Sequence, residues 1–167
     1  VSADQTPLPP LELVTGLPSQ FDQAVTDDFI DVNGHMNIEV YFRLGTWAPY
    51  LLLHQLGVDD DYIPQRQMSF FTVEHNVRYA SELRLGERFS IHSAVLERTD
   101  KAVRGAGIVV DREHDRIACL LEVVWVHVSM TERRSVAIPD DIVEALDGAI
   151  ADGAGLAPYV NRLTLRR

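Results

Sequence analysis

The strongest periodic signal in the chain runs from about His35 to Leu56. Tyr41, Leu44, Ala48, Leu51 and Leu52 recur at helical spacing, and Gln55 is the first polar residue on that stripe. Asn37 stands where a helix N-cap is expected, Glu39 where the helix dipole favours a negative side chain, and Gly57 at the stop. Pro49 removes a backbone donor inside this stripe, which predicts a kink or a break into two shorter helices. Asp59, Asp60 and Asp61 read as a solvated turn. Beyond Pro64 the period changes to two. Phe71, Val73, His75, Val77 and Tyr79 are expected on one face of a strand, and Thr72, Glu74, Asn76 and Arg78 on the other. Three further strands are expected at Arg88–Glu97, Ala102–Val110 and Ile117–Val128. Short polar connections at Leu85-Gly86-Glu87 and Asp111–Asp115 suggest that all four form an antiparallel meander. An earlier strand is expected within Phe21–Ile30, and a short amphipathic helix after Pro139.

These elements define an α+β chain, one long helix against an antiparallel sheet, with one domain over residues 21–146. Residues 1–20 carry Pro7, Pro9, Pro10 and Pro18 and are expected to form an arm without helix or central strand. Residues 147–167, with Gly148, Gly153 and Gly155, are expected to be a loose tail. One helix shields only part of such a sheet, and its edges need cover, so a homo-oligomer is expected, a dimer or a dimer of dimers.

Composition narrows the class. The 167 residues are 46% hydrophobic and 24% charged, enough for one packed domain of which about 70% of the surface is buried on folding. A formal charge of −10 argues against nucleic acid or an anionic membrane as partner. Cys119 is the sole cysteine, so neither an intrachain disulfide nor a thiolate metal site is expected, and its apolar segment marks it as core. No secretory pattern opens the sequence and no apolar run reaches membrane-spanning length, so a cytoplasmic protein is expected.

The chemistry is concentrated in Asp31-Val32-Asn33-Gly34-His35-Met36-Asn37, a polar reversal leading into the long helix. A carbonyl oxygen placed at a helix start meets unpaired backbone donors, here expected from Gly34, Met36 and Asn37. Asp31 is the candidate general base or nucleophile, with Asn33 and His35 as orienting groups. A thioester suits such a site because its leaving group is already good. Read singly, Asp31 and Asn33 also suffice for an Asx-turn, Asn37 for a cap and Gly34 for positive φ.

The same string, followed by Tyr41, resembles the signature of acyl-CoA and acyl-carrier thioesterases of the hot-dog fold, the 4-hydroxybenzoyl-CoA thioesterase-like group. Val73–Glu87, ending in Leu83-x-Leu85-Gly86-Glu87, resembles that family's second strand and following turn, and Val126–Pro139 its last strand and exit. The resemblance implies one central helix wrapped by an antiparallel sheet, side-by-side dimers, and thioester hydrolysis with Asp31 as the catalytic carboxylate. No cofactor or metal is implied, since coenzyme A enters as part of the substrate. Ile38 departs from the family pattern, where a second Asn is common, and so does Pro49 within the helix.

A narrower likeness, carried by Asp31–Asn37 with Phe71-Thr72-Val73-Glu74, is to a branch associated with carnitine dehydrogenases and expected to hydrolyse betainyl-CoA. Tyr41, Phe71, Glu74 and Tyr79 are the expected acyl-binding residues, with Trp47 as a further ring for a trimethylammonium group. Arg78, Arg133 and Arg134 are the expected contacts for the CoA phosphates, Arg98 and Arg104 being further candidates. The competing classes are a related hydratase or dehydratase, in which His35 and Asp31 move a proton on the acyl chain, and a non-catalytic acyl-CoA binding protein.

Overall fold

A computed structural model describes residues 7–165, so the first six residues of the expected arm lie outside the described residues. Along the chain come helix α1 (Leu11–Thr15), strand β1 (Ser19–Ala24), a 3-10 turn at Asp27–Phe29, the long helix α2 (Ile38–Gln55) and the short α3 (Tyr62–Arg66). Strands β2 (Met68–Tyr79), β3 (Arg88–Arg98), β4 (Ala102–Asp111) and β5 (Arg116–Ser129) follow. The two-residue β6 (Arg134–Ser135) precedes α4 (Asp140–Gly153) and a closing 3-10 turn at Ala154–Leu156.

Helix α2 forms around the apolar stripe. The Asn37 side chain accepts the Glu39 amide at 2.9 Å, and Tyr41, Leu44, Ala48, Leu52 and Leu53 are buried, each leucine contributing about 2 kcal/mol of burial. Pro49 does not divide the helix, which runs 18 residues without interruption. Any other residue at 49 would donate to the Gly45 carbonyl. That carbonyl is instead pressed onto β4, where a Cβ at Gly107 would lie 2.1 Å from it. Pro49 and Gly107 together let the helix backbone approach the sheet at a distance two ordinary residues would not allow.

The sheet order is β1-β3-β4-β5-β2, all antiparallel, with β6 paired to β5. The expected meander therefore holds only for β3, β4 and β5. Strand β2 lies at the far edge, with Met68 opposite Ser129 and Tyr79 opposite Cys119. The link from Tyr79 to Arg88 is consequently a crossover. It must traverse three strand spacings, about 14 Å, a distance eight intervening residues can span at about 3.3 Å each. In crossing, it buries Leu83 fully and passes over the start of α2, where the Leu83 carbonyl accepts the Met36 amide at 2.8 Å.

A bulge resets the faces of β2. Thr72 pairs with Trp125 and Glu74 with Val124, leaving Val73 outside the ladder. The alternation expected across Phe71–Tyr79 is broken there. Phe70, Thr72, His75, Val77 and Tyr79 face α2, while Phe71, Glu74, Asn76 and Arg78 face outward.

The ends of the chain cover the sheet's outer face. The short helix α1 forms inside the arm expected to be irregular, its prolines lying outside it. Val14 packs with Ala106, Ile108, Leu120, Leu156 and Val160. The tail expected to be loose is ordered by the same apolar face. Its helix α4 reaches Gly153, the buried Leu156, Val160 and Leu163 follow, and the fully buried Glu122 accepts the amides of Arg162 (2.9 Å) and Leu163 (3.0 Å). Strand β1 pairs β3 only at Arg88–His92, and Gly153 packs against Ala94 and Val95 beyond that point. The edge of β2 has no such cover from the described residues.

Candidate active site

The reversal before α2 is built from local bonds. The Gly34 amide donates to Asp31 O at 3.0 Å, the Asp31 amide to His35 O at 3.1 Å, and Gly34 takes φ +79°, a backbone region suited to glycine. One carboxylate oxygen of Asp31 accepts the Asn33 amide at 2.8 Å and the other the Asn33 side-chain nitrogen at 3.4 Å. This is an Asx-turn. The Asp31 side chain keeps 18% exposure, and Nδ1 of His35 lies 3.9 Å from it and 3.2 Å from Met36 O.

The expected oxyanion donors are used elsewhere. The amides of Gly34, Met36 and Asn37 already donate to the carbonyls of Asp31, Leu83 and Phe29, at 3.0, 2.8 and 2.8 Å. Their geometry follows from the turn, the crossover and the short bridge between Ile30 and Met36. The amide left at the mouth of the helix is that of Ile38. As the first helical residue it has no carbonyl of its own helix to reach, whereas the Glu39 amide takes the Asn37 side chain and the Val40 amide the Asn37 carbonyl. Ile38 is 61% exposed. The Asn37 cap marks Ile38 as the first residue of the helix.

Ile38 borders a cavity of about 400 Å³ whose other walls are His35, Met36 and Tyr41 from the helix start, and Tyr79 to Glu82 from the crossover. Asp31 is not a lining residue; it adjoins the cavity through His35. Tyr41 is buried, donates to Ser81 O at 3.4 Å, and meets Tyr79 edge-on with centroids 5.6 Å apart. Burial raises the Tyr41 phenol well above its ordinary range, so it remains a neutral donor.

A second cavity of about 240 Å³ follows the same α2–β2 seam, between Phe42, Thr46, Trp47 and Tyr50 on the helix and Phe70, Thr72 and His75 on the strand, floored by Val123 and Trp125. A polar cleft of about 480 Å³ continues from Ala80–Glu82 to Arg84, Glu87, His114 and Arg116. Glu87, Asp111 and His114 also lie close enough to suggest a metal site. The Asp111 oxygens, however, already accept Arg116 Nε, His114 Nδ1 and the amides of Glu113 and His114. A further cavity of about 620 Å³ lies at the β3–β4 hairpin beside Lys101, with none of the Asp31–Asn37 residues in its lining.

Other expected site residues are not brought together. Tyr41 and Tyr79 share the first cavity, but the bulge turns Phe71 to the outer face, which Glu74 holds by alternation with Tyr79, so neither joins it. Arg133, itself at φ +54°, stacks over Phe71 at 5.3 Å, and Arg134 pairs with Glu132. Arg78 lies seven residues from Phe71, about 23 Å along the strand, on the outer face beside Glu122 and Arg162. These three arginines therefore do not form one phosphate site within a subunit. Arg98 is tied to Asp147, and Arg104 to Glu97, Glu122 and Val160 O.

A curled antiparallel sheet around one long helix defines a hot-dog α+β protein. Residues 25–146 match the model of the Thioesterase-like superfamily, and the chain belongs to that family. A hypothetical protein of Staphylococcus aureus, solved in complex with CoA, superposes with a TM-score of 0.75 at 20% identity, covering 90% of this chain and 91% of that one. Among curated proteins, an L-carnitine dehydrogenase/betainyl-CoA thioesterase of Agrobacterium fabrum is 31% identical over 135 residues, 80% of this chain and 27% of the relative. The chain thus spans about a quarter of that two-activity relative's length. A betainyl-CoA thioesterase of Pseudomonas aeruginosa is 23% identical over 129 residues, 75% of this chain and 81% of the relative.

Proposed function

We propose that this protein hydrolyses acyl-CoA thioesters, with a betainyl group as the acyl part, releasing CoA and a carboxylic acid. The observation that carries the reading is that Ile38, the first residue of α2, lines the same cavity that Asp31 adjoins through His35. The thioester carbonyl accepts from the Ile38 amide, which stabilises the oxyanion as it forms. Asp31 takes a proton from water as the water oxygen bonds to the carbonyl carbon. The carbon–sulfur bond then breaks, and the departing thiolate gains a proton to leave as CoA thiol. If Asp31 attacks instead, an anhydride forms and water resolves it, giving the same products. CoA is part of the substrate, and the chemistry draws only on side chains, backbone and water.

The active unit is proposed to be a homodimer joined along α2 and the edge of β2. Seven of the twelve large hydrophobics exposed among the described residues lie there, including Ile38, Phe42, Trp47, Val73 and Tyr79. No helix among the described residues is long and apolar enough to cross a membrane. The proposed setting is the cytoplasm, where a lone buried thiol such as Cys119 stays reduced.

A thiol-release assay over betainyl-, short-chain and medium-chain acyl-CoAs tests the reading. Thiol release that depends on Asp31 supports it. Reversible loss of water without thiol release would place the chain with the hydratases instead.

A further inference from the structure

The seam between α2 and β2 is walled by rings, whereas the outer-face core is built mainly of Val, Ile, Leu and Ala. Seven of the chain's thirteen Phe, Trp and Tyr residues line the two cavities along the seam. Among the described residues, no arginine or lysine lines either cavity, although the chain contains fifteen basic residues. Glu82 is the one carboxylate in the lining, and it is paired with Arg84. An aliphatic acyl chain has no particular need for aromatic faces. A quaternary ammonium does: it cannot donate a hydrogen bond, and ring faces are what attract it once it leaves water.

Distance selects which rings are relevant. In a betainyl thioester the nitrogen is two bonds from the carbonyl carbon, so the cationic head must lie next to the group that holds the carbonyl. Taking Ile38 as that group, Phe42 is about 6 Å along the helix axis, whereas Trp47 is about 14 Å away. The Tyr41–Tyr79 pair and the Phe42–His75 pair, the latter edge-on at 5.0 Å, stand at the near end of the trough. We infer that Tyr79 and Phe42, backed by Tyr41 and His75, are the residues that recognise a permanently cationic acyl head. Burial lowers the basicity of His75, which at neutral pH brings no opposing charge to this end of the trough. Trp47 and Tyr50 are left for the second copy of the chain.

This inference rests on the hydrolase reading, and the test separates the two. The full chain is assayed on betainyl-CoA and on tert-butylacetyl-CoA, which has the same shape with carbon in place of the charged nitrogen. The ratio of the two kcat/KM values isolates the charge and cancels any general loss of activity. The native protein is expected to favour the cation by about tenfold or more, and Phe42→Leu and Tyr79→Leu each to lower the ratio by about fivefold. Tyr79→Phe keeps the ring and should keep the ratio. All three changes fall at side chains exposed in the single subunit, 41% at Phe42 and 47% at Tyr79, and the ratio cancels any loss that comes through the proposed dimer contact. A native ratio near one, or ratios untouched by both leucine variants, overturns the inference while leaving the hydrolase intact. Absence of thiol release from every acyl-CoA tried overturns both.

Discussion

The Asp31 carboxylate lies 3.9 Å from Nδ1 of His35 while holding the Asn33 amide at 2.8 Å, so one side chain both closes a turn and adjoins a residue that lines the candidate active site. These two tasks can be separated. Asparagine at 31 still offers an oxygen to the Asn33 amide but can neither accept a proton from water nor attack a thioester. Asp31→Asn is therefore expected to lower kcat by about 100-fold or more, with the melting temperature nearly unchanged. Asp31→Ala should lose both. A thiol-release assay beside a melting curve distinguishes them, and an asparagine variant with native kcat would remove Asp31 from the chemistry.

What the sequence reveals here is what neighbours along the chain decide. The α2 stripe, the Asn37 cap and the Asp31–Gly34 reversal are all local, and all form. The partner of β2 is not local. Phe71–Tyr79 reads equally well beside β3 or β5, and the choice falls to the crossover that buries Leu83. The bulge at Val73 is equally hidden, because an unpaired residue is defined only against its opposite strand. That single slip moves Phe71 away from Tyr41 and Tyr79 and onto the face that Glu74 holds. It also explains why the helix start is legible from local pattern while the grouping of rings along β2 is not. The donors at the helix mouth follow the same rule: Met36 and Asn37 have their amides taken by Leu83 and Phe29, one of them 47 positions distant in sequence and the other eight.

Buried imidazoles set the acid limit of stability. Burial lowers the pKa of His127, which its bonds to the Val136 and Ala137 carbonyls only partly offset, and burial likewise lowers that of His92. The unfolded chain, near 6.5 at each histidine, therefore takes up protons first as pH falls. Stability is fully present above about pH 6.5 and declines on acidification towards the lower folded-state values. His127 also accepts from or donates to the Tyr62 hydroxyl at 2.9 Å. His127→Phe leaves that hydroxyl without its ring partner and is expected to lower the melting temperature by about 5 °C at pH 7.5. It should also flatten part of the decline between pH 7 and 5. An unchanged acid slope in the variant would show that His127 does not carry it.

Glu74 and Arg133 lie on the same outer edge, Arg133 stacked on Phe71 three residues from Glu74. Two β2 strands paired antiparallel about Val73 would bring Glu74 of one copy beside the partner's Arg133, twice over by symmetry. Glu74→Arg and Arg133→Glu are each expected to weaken the proposed dimer by about tenfold, and the double exchange to recover most of the loss. Sedimentation at micromolar concentration reads this out. Single variants as dimeric as the native chain would move the interface elsewhere.

Glu122 joins the tail to the sheet. Fully buried on β5, it accepts the Arg162 and Leu163 amides and Nη1 of Arg104 at 3.4 Å, while Leu156 and Val160 close the apolar face around it. Glu122→Ala leaves the Arg162 and Leu163 amides without their acceptor and removes the buried carboxylate beside Arg104, which keeps Glu97 and Val160 O. About 3 kcal/mol of stability should be lost, and with it the slow hydrogen exchange of the Arg162 and Leu163 amides. Gln at 122 keeps one acceptor oxygen and should fall between. Ending the chain at Gly155 removes the cover itself, exposing Ile108 and Leu120 on the outer face, and is expected to cost more than the point change. If Glu122→Ala melted like the native protein and still protected both amides, the tail would be held by its leucines and valine alone.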